Sequence, residues 1–187
     1  MPQATRDRSL GDGVYFAPDE YVGLGPRLVV FVVDSIVIFV LLWLVAFVWF
    51  ILVGEYTFTF VLIAAGVVWI YVAPIKRSSF RTLGYHWMGC RLVTLQGGVP
   101  SLAMLTFRSL LWMIGPFNSV FDFIWCGVDE DRQTLRDRYS GMCLVRQGAK
   151  PLGKGEVHLA YFDAFGYNLM YARVVHPQAK MAPAVRD

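Results

Sequence analysis

One uninterrupted apolar run constrains this chain more than any other feature. Residues 28–53 contain only two polar side chains outside the aromatics, Asp34 and Ser35. A helix rises about 1.5 Å per residue, so this run would form a helix of about 39 Å, longer than the roughly 30 Å hydrocarbon core of a bilayer. The run therefore predicts a tilted transmembrane helix. The composition agrees, because 56% of the residues are hydrophobic and only 17% are charged, whereas soluble domains carry about 25% charged residues.

The position of this run near the N-terminus raises the alternative of a secretory signal peptide. The apolar region of a signal peptide covers about 7–15 residues and follows a positively charged segment. Here the run is longer, and the preceding tail carries mixed charges, namely Arg6, Asp7, Arg8, Asp12, Asp19 and Glu20. We therefore expect an uncleaved membrane span.

A second apolar block covers residues 58–73 and ends at Pro74, which is followed by Lys76 and Arg77. Proline cannot continue a helix, and the basic pair suits the membrane interface. Only residues 54–57 separate this block from the first run. The two blocks therefore predict a tight helical hairpin.

The distribution of basic residues predicts the orientation of this hairpin. The link at residues 54–57 has none, whereas both outer ends are basic, with Arg6, Arg8 and Arg27 before the first span and Lys76, Arg77, Arg81 and Arg91 after the second. Basic residues near a span stay on the cytoplasmic side. We expect a multi-pass protein of the inner (cytoplasmic) membrane with the N-terminus and the C-terminal tail in the cytoplasm.

A third apolar block, residues 102–128, is interrupted by Arg108 and Asp122 and broken by Gly115-Pro116. Its two arms would each cover about 12 residues, or about 18 Å of helix. We favour a re-entrant or interfacial segment, since a full span would place the basic residues that follow it outside the cell. A full third span is the alternative.

Two short segments between the apolar blocks have the composition of strands, residues 90–95 and 142–146. They are expected either to pair beneath the membrane or to form irregular interfacial loops. The predicted fold class is an all-α integral membrane protein, with a two-span hairpin, a broken third apolar segment and room for a short cytoplasmic β-pair.

The remaining chain divides into an N-terminal tail at residues 1–20, a membrane domain at 21–147 and a soluble tail at 148–187. The tail is aromatic between residues 156 and 175 and is expected to be disordered from 177 onward. Its spacing fits a helix, which we favour, or an alternating strand. Such a segment is expected to dock on the bilayer or on a partner through Tyr161, Phe162, Phe165, Leu169 and Tyr171.

Asp34 lies about two turns inside the first span, where an ionised carboxylate is expensive and requires a partner. Arg27 is on the same helix face, but its side chain leans away towards the interface. We expect Arg108 to be the partner, because a guanidinium can satisfy a carboxylate with two parallel hydrogen bonds. Alternatively, Asp34 is solvated near the interface.

Asn118 and Asp122 extend this candidate polar network, since they are four residues apart on one arm of the third block. With Ser119 they could hold a cation or relay a proton if the arm is buried. The simpler interpretation is that Asp122 forms a structural pair within the bundle.

The sequence offers no further chemistry. Cys90, Cys126 and Cys143 are widely spaced, which predicts free thiols rather than a disulfide framework or a zinc site. The run Asp129-Glu130-Asp131 is typical of a solvated turn. Nucleotide-binding loops, catalytic arrangements and nucleic-acid footprints are not found. We therefore expect a non-enzyme without cofactor, metal or nucleic-acid partner.

Three segments, in order, resemble the RDD family of membrane proteins, which is named for one arginine and two aspartates. They are residues 23–34, which hold Arg27 and Asp34; Thr82-Leu83-Gly84 with residues 89–93; and residues 132–137 leading to Ser140-Gly141. The resemblance covers residues 21–147 and implies that Asp137 is the second aspartate, with Asp122 as the alternative.

The resemblance implies a role in the transport of ions or other ligands. We consider two functions. One is a small, non-catalytic accessory or scaffolding subunit of a larger membrane assembly, which the short chain and long tail favour. The other is an oligomeric component for ion or ion/proton exchange, with Asp34 as the titrating group. The expected partners are the lipid bilayer and other membrane subunits or further copies of the chain.

Overall fold

The computed structural model describes residues 10–114, 119–129, 131–164 and 167–175. Within them lie six α-helices and five strands. The helices are α1 (Leu24–Val53), α2 (Phe58–Ile70), α3 (Leu83–Trp87), α4 (Leu102–Leu111), α5 (Ser119–Val128) and α6 (Leu135–Tyr139). The strands are β1 (Asp12–Tyr15), β2 (Cys90–Thr94), β3 (Met142–Arg146), β4 (Gly153–Ala164) and β5 (Tyr167–Val174).

Helices α1 and α2 form the predicted hairpin. Helix α1 has 30 residues and is therefore about 45 Å long. It ends at Gly54, whose positive φ of 80° lets its N–H bond back to the carbonyl of Phe50. Helix α1, and α2 together with the turn that continues it to Ile75, are long and apolar enough to cross a membrane. Both expose apolar side chains such as Phe39 and Leu62 along their length. This surface suits a lipid environment.

Helix α2 continues into a π-helical turn, Tyr71–Ile75, which contains Pro74. Proline removes one backbone donor and crowds the preceding turn, so the helix widens where the apolar block ends. Tyr71 and Ala73 are buried in this turn. The turn therefore marks the point where the hairpin meets the rest of the fold.

The third apolar block forms two helices of ten residues, α4 and α5, each about 15 Å long. Neither helix alone matches the thickness of a bilayer core, which agrees with a broken segment. The Trp69 indole donates to the Thr106 hydroxyl at 2.9 Å and ties α2 to α4. Phe31 packs edge to face on Phe123 and ties α1 to α5. The path of this segment through a bilayer stays a prediction.

Strands β2 and β3 pair antiparallel, with Cys90 opposite Arg146 and Thr94 opposite Met142. The prediction that these segments pair is confirmed. Their inward side chains join the core beneath the hairpin, together with Val22, Val30, Ala73, Tyr85 and Leu105.

The aromatic C-terminal segment is a hairpin of two strands, so the preferred prediction of a helix is wrong. Val157 lies opposite Val174, and both are buried against Leu95. Strand β1, from the N-terminal segment, pairs with β4 in the order β1-β4-β5. The helix prediction failed because the segment also alternates as a strand does, and β4 pairs with β5 from Val157 to Ala164, whereas β1 pairs with β4 only at residues 153–156. The all-α prediction is corrected accordingly to a fold with helices and two small sheets.

Candidate functional site

Buried charges gather where the helical hairpin meets the small sheets. Seven charged side chains there are buried, six of them on α1, α4, α5 and α6 and one in the link between α5 and α6: Arg27, Asp34, Arg108, Asp122, Asp137, Arg138 and Asp131. Burying a charge is costly unless it is paired and hydrogen-bonded. The partners of each group therefore indicate what it does.

Asp137 is the centre of the larger cluster and has no exposed surface. Its Oδ2 accepts from Arg27 Nη1 at 2.7 Å, and its Oδ1 accepts from Arg108 Nε at 2.6 Å. It also forms a capping box with Thr134 at the start of α6, since each residue's backbone N–H donates to the other's side chain. One carboxylate thus joins α1, α4 and α6.

Arg27 is held at all three guanidinium nitrogens. Besides Asp137, its Nε donates to the carbonyl of Val22 at 2.9 Å and its Nη2 donates to the carbonyl of Arg132 at 2.8 Å. Such a fork of donors fixes both position and orientation. Arg27 therefore fastens the start of α1 to the segment that precedes α6.

The electrostatic consequence appears at Asp137. Burial alone would raise the pKa of the Asp137 carboxyl. The Arg108 and Arg27 guanidiniums and their hydrogen bonds lower it by more, so the pKa is well below the usual range. Asp137 is consequently a fixed negative charge at physiological pH.

Asp34 lies in a second, separate cluster. Its Oδ1 accepts from the Tyr71 hydroxyl and from the Gly84 N–H, both at 2.9 Å, and its Oδ2 accepts from the Thr82 hydroxyl at 2.8 Å. All three donors are neutral. The predicted pairing of Asp34 with Arg108 is wrong, because Arg108 bonds to Asp137 instead.

Close packing explains why a glycine follows Thr82 and Leu83. A Cβ on Gly84 would lie 2.8 Å from Asp34 Oδ1 and 2.8 Å from the Val30 carbonyl oxygen. These distances are too short for a real side chain, so α3 can approach α1 only with glycine at this position. The Thr82-Leu83-Gly84 stretch therefore binds the Asp34 carboxylate through uncharged donors, the Thr82 hydroxyl and the Gly84 N–H.

Two further residues, Asp122 and Asn118, were predicted to belong to the polar network. Asp122 is fully buried and pairs with Arg136, whose side-chain Nε and backbone N–H both donate to it. Asp122 is thus a structural pair between α5 and α6. Asn118 lies outside the described residues.

The acidic run after α5 is not the predicted solvated turn. Asp129 pairs with Arg138, and its other oxygen accepts from the backbone N–H of Gln133 at 2.8 Å. Asp131 is buried, and its Oδ2 lies 3.7 Å from Arg138. The acids therefore neutralise an arginine that is itself buried, and Glu130 lies outside the described residues.

The predicted docking residues lie in different surroundings. Tyr161 is exposed, whereas Tyr171 packs edge to face on Trp125 and beneath the Arg138 guanidinium. The expectation that Tyr171 faces a partner is corrected, since it holds the hairpin to the helices. Phe162 and Leu169 belong to β4 and β5, without described side chains, and Phe165 lies outside the described residues.

Sequence reasoning missed the neutral ligands of Asp34. Tyr71 carries no signal beyond its place at the end of the second apolar block, and a backbone N–H carries none at all. Only the Thr82-Leu83-Gly84 stretch stands out in the sequence, and a threonine hydroxyl beside a glycine is compatible with many roles. The partners of Asp34 can be identified only from the fold, in which the end of α2 and the start of α3 pack against α1.

The described residues contain no group of three or more histidine, cysteine or acidic side chains able to hold a metal ion. The three cysteines are buried, and burial raises the pKa of Cys90 to about 11 and that of Cys143 to about 12. Thiols of this kind are poor nucleophiles at neutral pH. The site therefore consists of ion pairs and neutral hydrogen bonds.

Comparison with known proteins adds one match. The sequence model of the RDD family matches residues 21–141, which is more than half of the chain and includes Arg27, Asp34 and Asp137. No protein of curated function and no solved structure is similar to the chain.

Proposed function

Because the chain belongs to the RDD family and carries two apolar helices of membrane length, we propose that it is a small accessory or scaffolding subunit of a larger membrane assembly. In this role the α1–α2 hairpin anchors the chain, the buried ion pairs hold the base of the hairpin together, and the β4–β5 hairpin docks a partner. The subunit performs no catalysis itself.

The observation that carries this proposal is an apolar face of the β4–β5 hairpin, which begins in the core and continues onto the surface. Val157 and Val174 are buried at the base of the β4–β5 hairpin. Side chains alternate along a strand, and opposed residues share a face, so Leu159, Tyr161 and Met170 continue the face of these two valines. Their exposed fractions are 42%, 68% and 47%. The same face is thus core at one end and surface at the other.

The backbone of this region supports the same conclusion. Strand β1 pairs with β4 only at residues 153–156, so the distal part of the hairpin is two-stranded. A two-stranded hairpin with exposed apolar residues is marginally stable in water by itself, and its free edges accept further strands. A partner that covers this face would stabilise it.

The membrane part supports a structural role for the polar residues. Asp137, Arg27 and Asp122 are engaged in ion pairs within the chain. Polar contacts of this type fix helices against one another. They give the anchor a defined shape from which the hairpin projects.

The test is to weaken the exposed face without touching the core. Purified in mild detergent, the wild-type chain is expected to form a stoichiometric complex, and Tyr161→Ser with Met170→Ser is expected to release the partner. Leu152→Ser is the matched control, because Leu152 is also exposed but lies outside the strand face. Circular dichroism checks that all variants fold. A complex that survives the double change, or a wild-type chain that runs alone, would contradict the proposal.

Ion or ion/proton exchange is the second candidate function, and one observation favours it. Asp34 is a buried carboxylate whose three hydrogen-bond donors are all neutral, so no fixed cation in this contact shell holds its charge. Vesicles containing the purified chain and a pH-sensitive dye would reveal cation-driven proton flux. A flux that is present in the wild type and lost in folded Asp34→Asn would support exchange over scaffolding.

The proposed orientation places the N-terminus, residues 76–101 and the C-terminal hairpin in the cytoplasm of the inner membrane. A single introduced cysteine at Ser9, Ser79 or Lys150, in a background without the native cysteines, should react with a membrane-impermeant reagent only after the cells are opened. Labelling of the Lys150 position in intact cells would require a full third span.

A further inference from the structure

A basic cleft of about 410 Å³ opens where the second apolar helix ends. Lys76, Arg77, Arg81 and Arg91 supply four positive charges to its lining, and Ser78 and Ser79 supply two hydroxyls. Proton donors and cations of this kind favour an anion with several oxygen atoms, such as a phosphate.

The positive charge of the cleft is not neutralised by the protein. Within the described part of the chain, none of these four basic residues takes part in an ion pair, and the sequence has no acid between Lys76 and Phe107. This contrasts with Arg27, Arg108, Arg136 and Arg138, which all meet carboxylates. The cleft thus gathers basic side chains that no carboxylate of the described residues contacts.

Two of the cations are held in place before any ligand arrives. Arg81 Nη1 donates to the Cys90 carbonyl at 3.0 Å, and Arg91 Nη2 donates to the Ala149 carbonyl at 2.8 Å. Each bond uses one nitrogen of a guanidinium that has three. The remaining donors are positioned at low entropic cost, which favours binding.

Lys76 adds to the accumulation of charge. Its ammonium lies 4.6 Å from the centre of the Tyr85 ring. Burial and the repulsion of Arg108 lower the pKa of Lys76 to about 7. An anion in the cleft would offset this repulsion and favour the charged ammonium.

The surroundings of the cleft are apolar, which distinguishes a lipid from a free anion. Val99 lines it with an exposed fraction of 68%, and Phe80, between Ser79 and Arg81, has an exposed fraction of 82%. The cleft also begins directly after the apolar helix, and the end of a helix that spans a bilayer lies at the level of the headgroups. A phospholipid has both the phosphate for the cations and the acyl chains for these side chains.

We propose that this cleft binds the phosphate headgroup of an anionic phospholipid, with Arg77, Arg81 and Arg91 as the principal ligands. This site goes beyond the proposed scaffolding role and does not depend on it. The lipid would fasten the base of the hairpin to the membrane surface at a defined position, in addition to the general attraction of basic residues to anionic leaflets.

The experiment counts lipids retained by the detergent-purified chain, by native mass spectrometry, after incubation with phosphatidylglycerol or phosphatidylcholine. We expect about one phosphatidylglycerol per chain, at least fivefold more than phosphatidylcholine. The double variant Arg77→Gln/Arg91→Gln should lose this preference. The matched control Lys150→Gln/Lys154→Gln removes the same charge from exposed positions outside the cleft and should keep it.

The single variant Arg77→Gln separates a loss of lipid binding from a loss of folding. The Arg77 side chain is exposed and forms no hydrogen bond or ion pair among the described residues, so its removal should leave the fold intact. The variant should lower retention at least twofold. Equal retention by the wild type and the double variant would overturn the proposal, and so would an equal loss in the lysine control. Thermal protection by inorganic phosphate as strong as that by phosphatidylglycerol would replace the lipid with a soluble anion.

Discussion

Two buried aspartates in this molecule are satisfied in opposite ways. Asp137 meets two guanidiniums, from Arg27 and Arg108, whereas Asp34 meets three neutral donors from Tyr71, Thr82 and Gly84. The first arrangement consists of ion pairs, and the second consists of hydrogen bonds from neutral groups. A buried carboxylate therefore does not imply a buried cation beside it.

The difference also concerns what each aspartate joins. Asp137 links segments far apart in the sequence, since Arg27 lies 110 residues before it. Asp34 binds the end of α2 and the start of α3, which fold back on its own helix. The charged site thus ties the fold together, and the neutral site sets how closely α3 packs on α1.

The largest effect is expected from Asp137→Asn. This change leaves two buried guanidiniums without their carboxylate, and breaking one side of a buried pair costs about 3–5 kcal/mol. Chemical unfolding in detergent should show a loss of this size. Asp19→Asn, an exposed acid, is the control and should change the stability by less than about 0.5 kcal/mol. A small loss in Asp137→Asn would mean that the ion pairs are dispensable.

Gly84→Ala tests the close approach at the neutral site. The added methyl group would meet Asp34 and the Val30 backbone at 2.8 Å, and overpacking of this kind costs about 1–3 kcal/mol. Gly127→Ala is the matched control, because a Cβ there meets nothing within 4 Å. The control should be neutral or slightly stabilising, as alanine favours helices. Equal stability of both variants would show that α3 has room to move.

Asp34→Asn is expected to cost less than Asp137→Asn, about 1 kcal/mol. An asparagine can still accept from Tyr71 and Gly84, and no buried cation loses its partner. Tyr71→Phe, which removes one donor, should give a similar or smaller loss in the same unfolding experiment. A loss as large as that of Asp137→Asn would show that the neutral shell depends on the charge.

The smallest effect is the part of the pH dependence of stability that comes from Asp137. Its carboxyl has a pKa below that of the unfolded chain, so it stabilises the fold above the unfolded pKa of about 3.9, and this stabilisation is lost as the pH falls. Between pH 5 and pH 3.5 the loss is about 0.7 kcal/mol. The double variant Asp137→Asn/Arg27→Gln should lack this increment when unfolding is measured at both pH values. An unchanged pH dependence would contradict the assignment.

Local signals predicted a substantial part of the fold. The apolar runs, Pro74 and the four-residue link gave the helical hairpin, because these features act within a few residues of where they occur. The β2–β3 pair was also predicted, although loops were an open alternative. The C-terminal segment was assigned to a helix because Leu159, Phe162 and Leu169 fit helical spacing, whereas β4 pairs with β5 from Val157 to Ala164. Spacing alone did not decide between the two, because the same segment also fits the alternation of a strand.

The sequence predicted which residues belong to the site but not how they pair. Asp34 and Asp122 stood out as charges within apolar blocks and Arg27 as a charge at the start of the first span, and all three are buried, as is Asp137. Their pairing was wrong for Asp34 because charge complementarity pointed to Arg108, while the neutral hydroxyls and the N–H that bind it carry no charge to search for. A resemblance to a family identified Asp137, and only the fold showed that it takes the arginine assigned to Asp34.

The most direct test of this account is a pair of double-mutant cycles that share Arg108→Gln. Combined with Asp137→Asn, it should show a coupling energy of about 2 kcal/mol, since the two side chains are in contact. Combined with Asp34→Asn, it should be additive within about 0.5 kcal/mol, because Asp34 and Arg108 share no hydrogen-bonding partner. Strong coupling of Arg108 to Asp34, with additivity towards Asp137, would contradict the separation of the charged site from the neutral one.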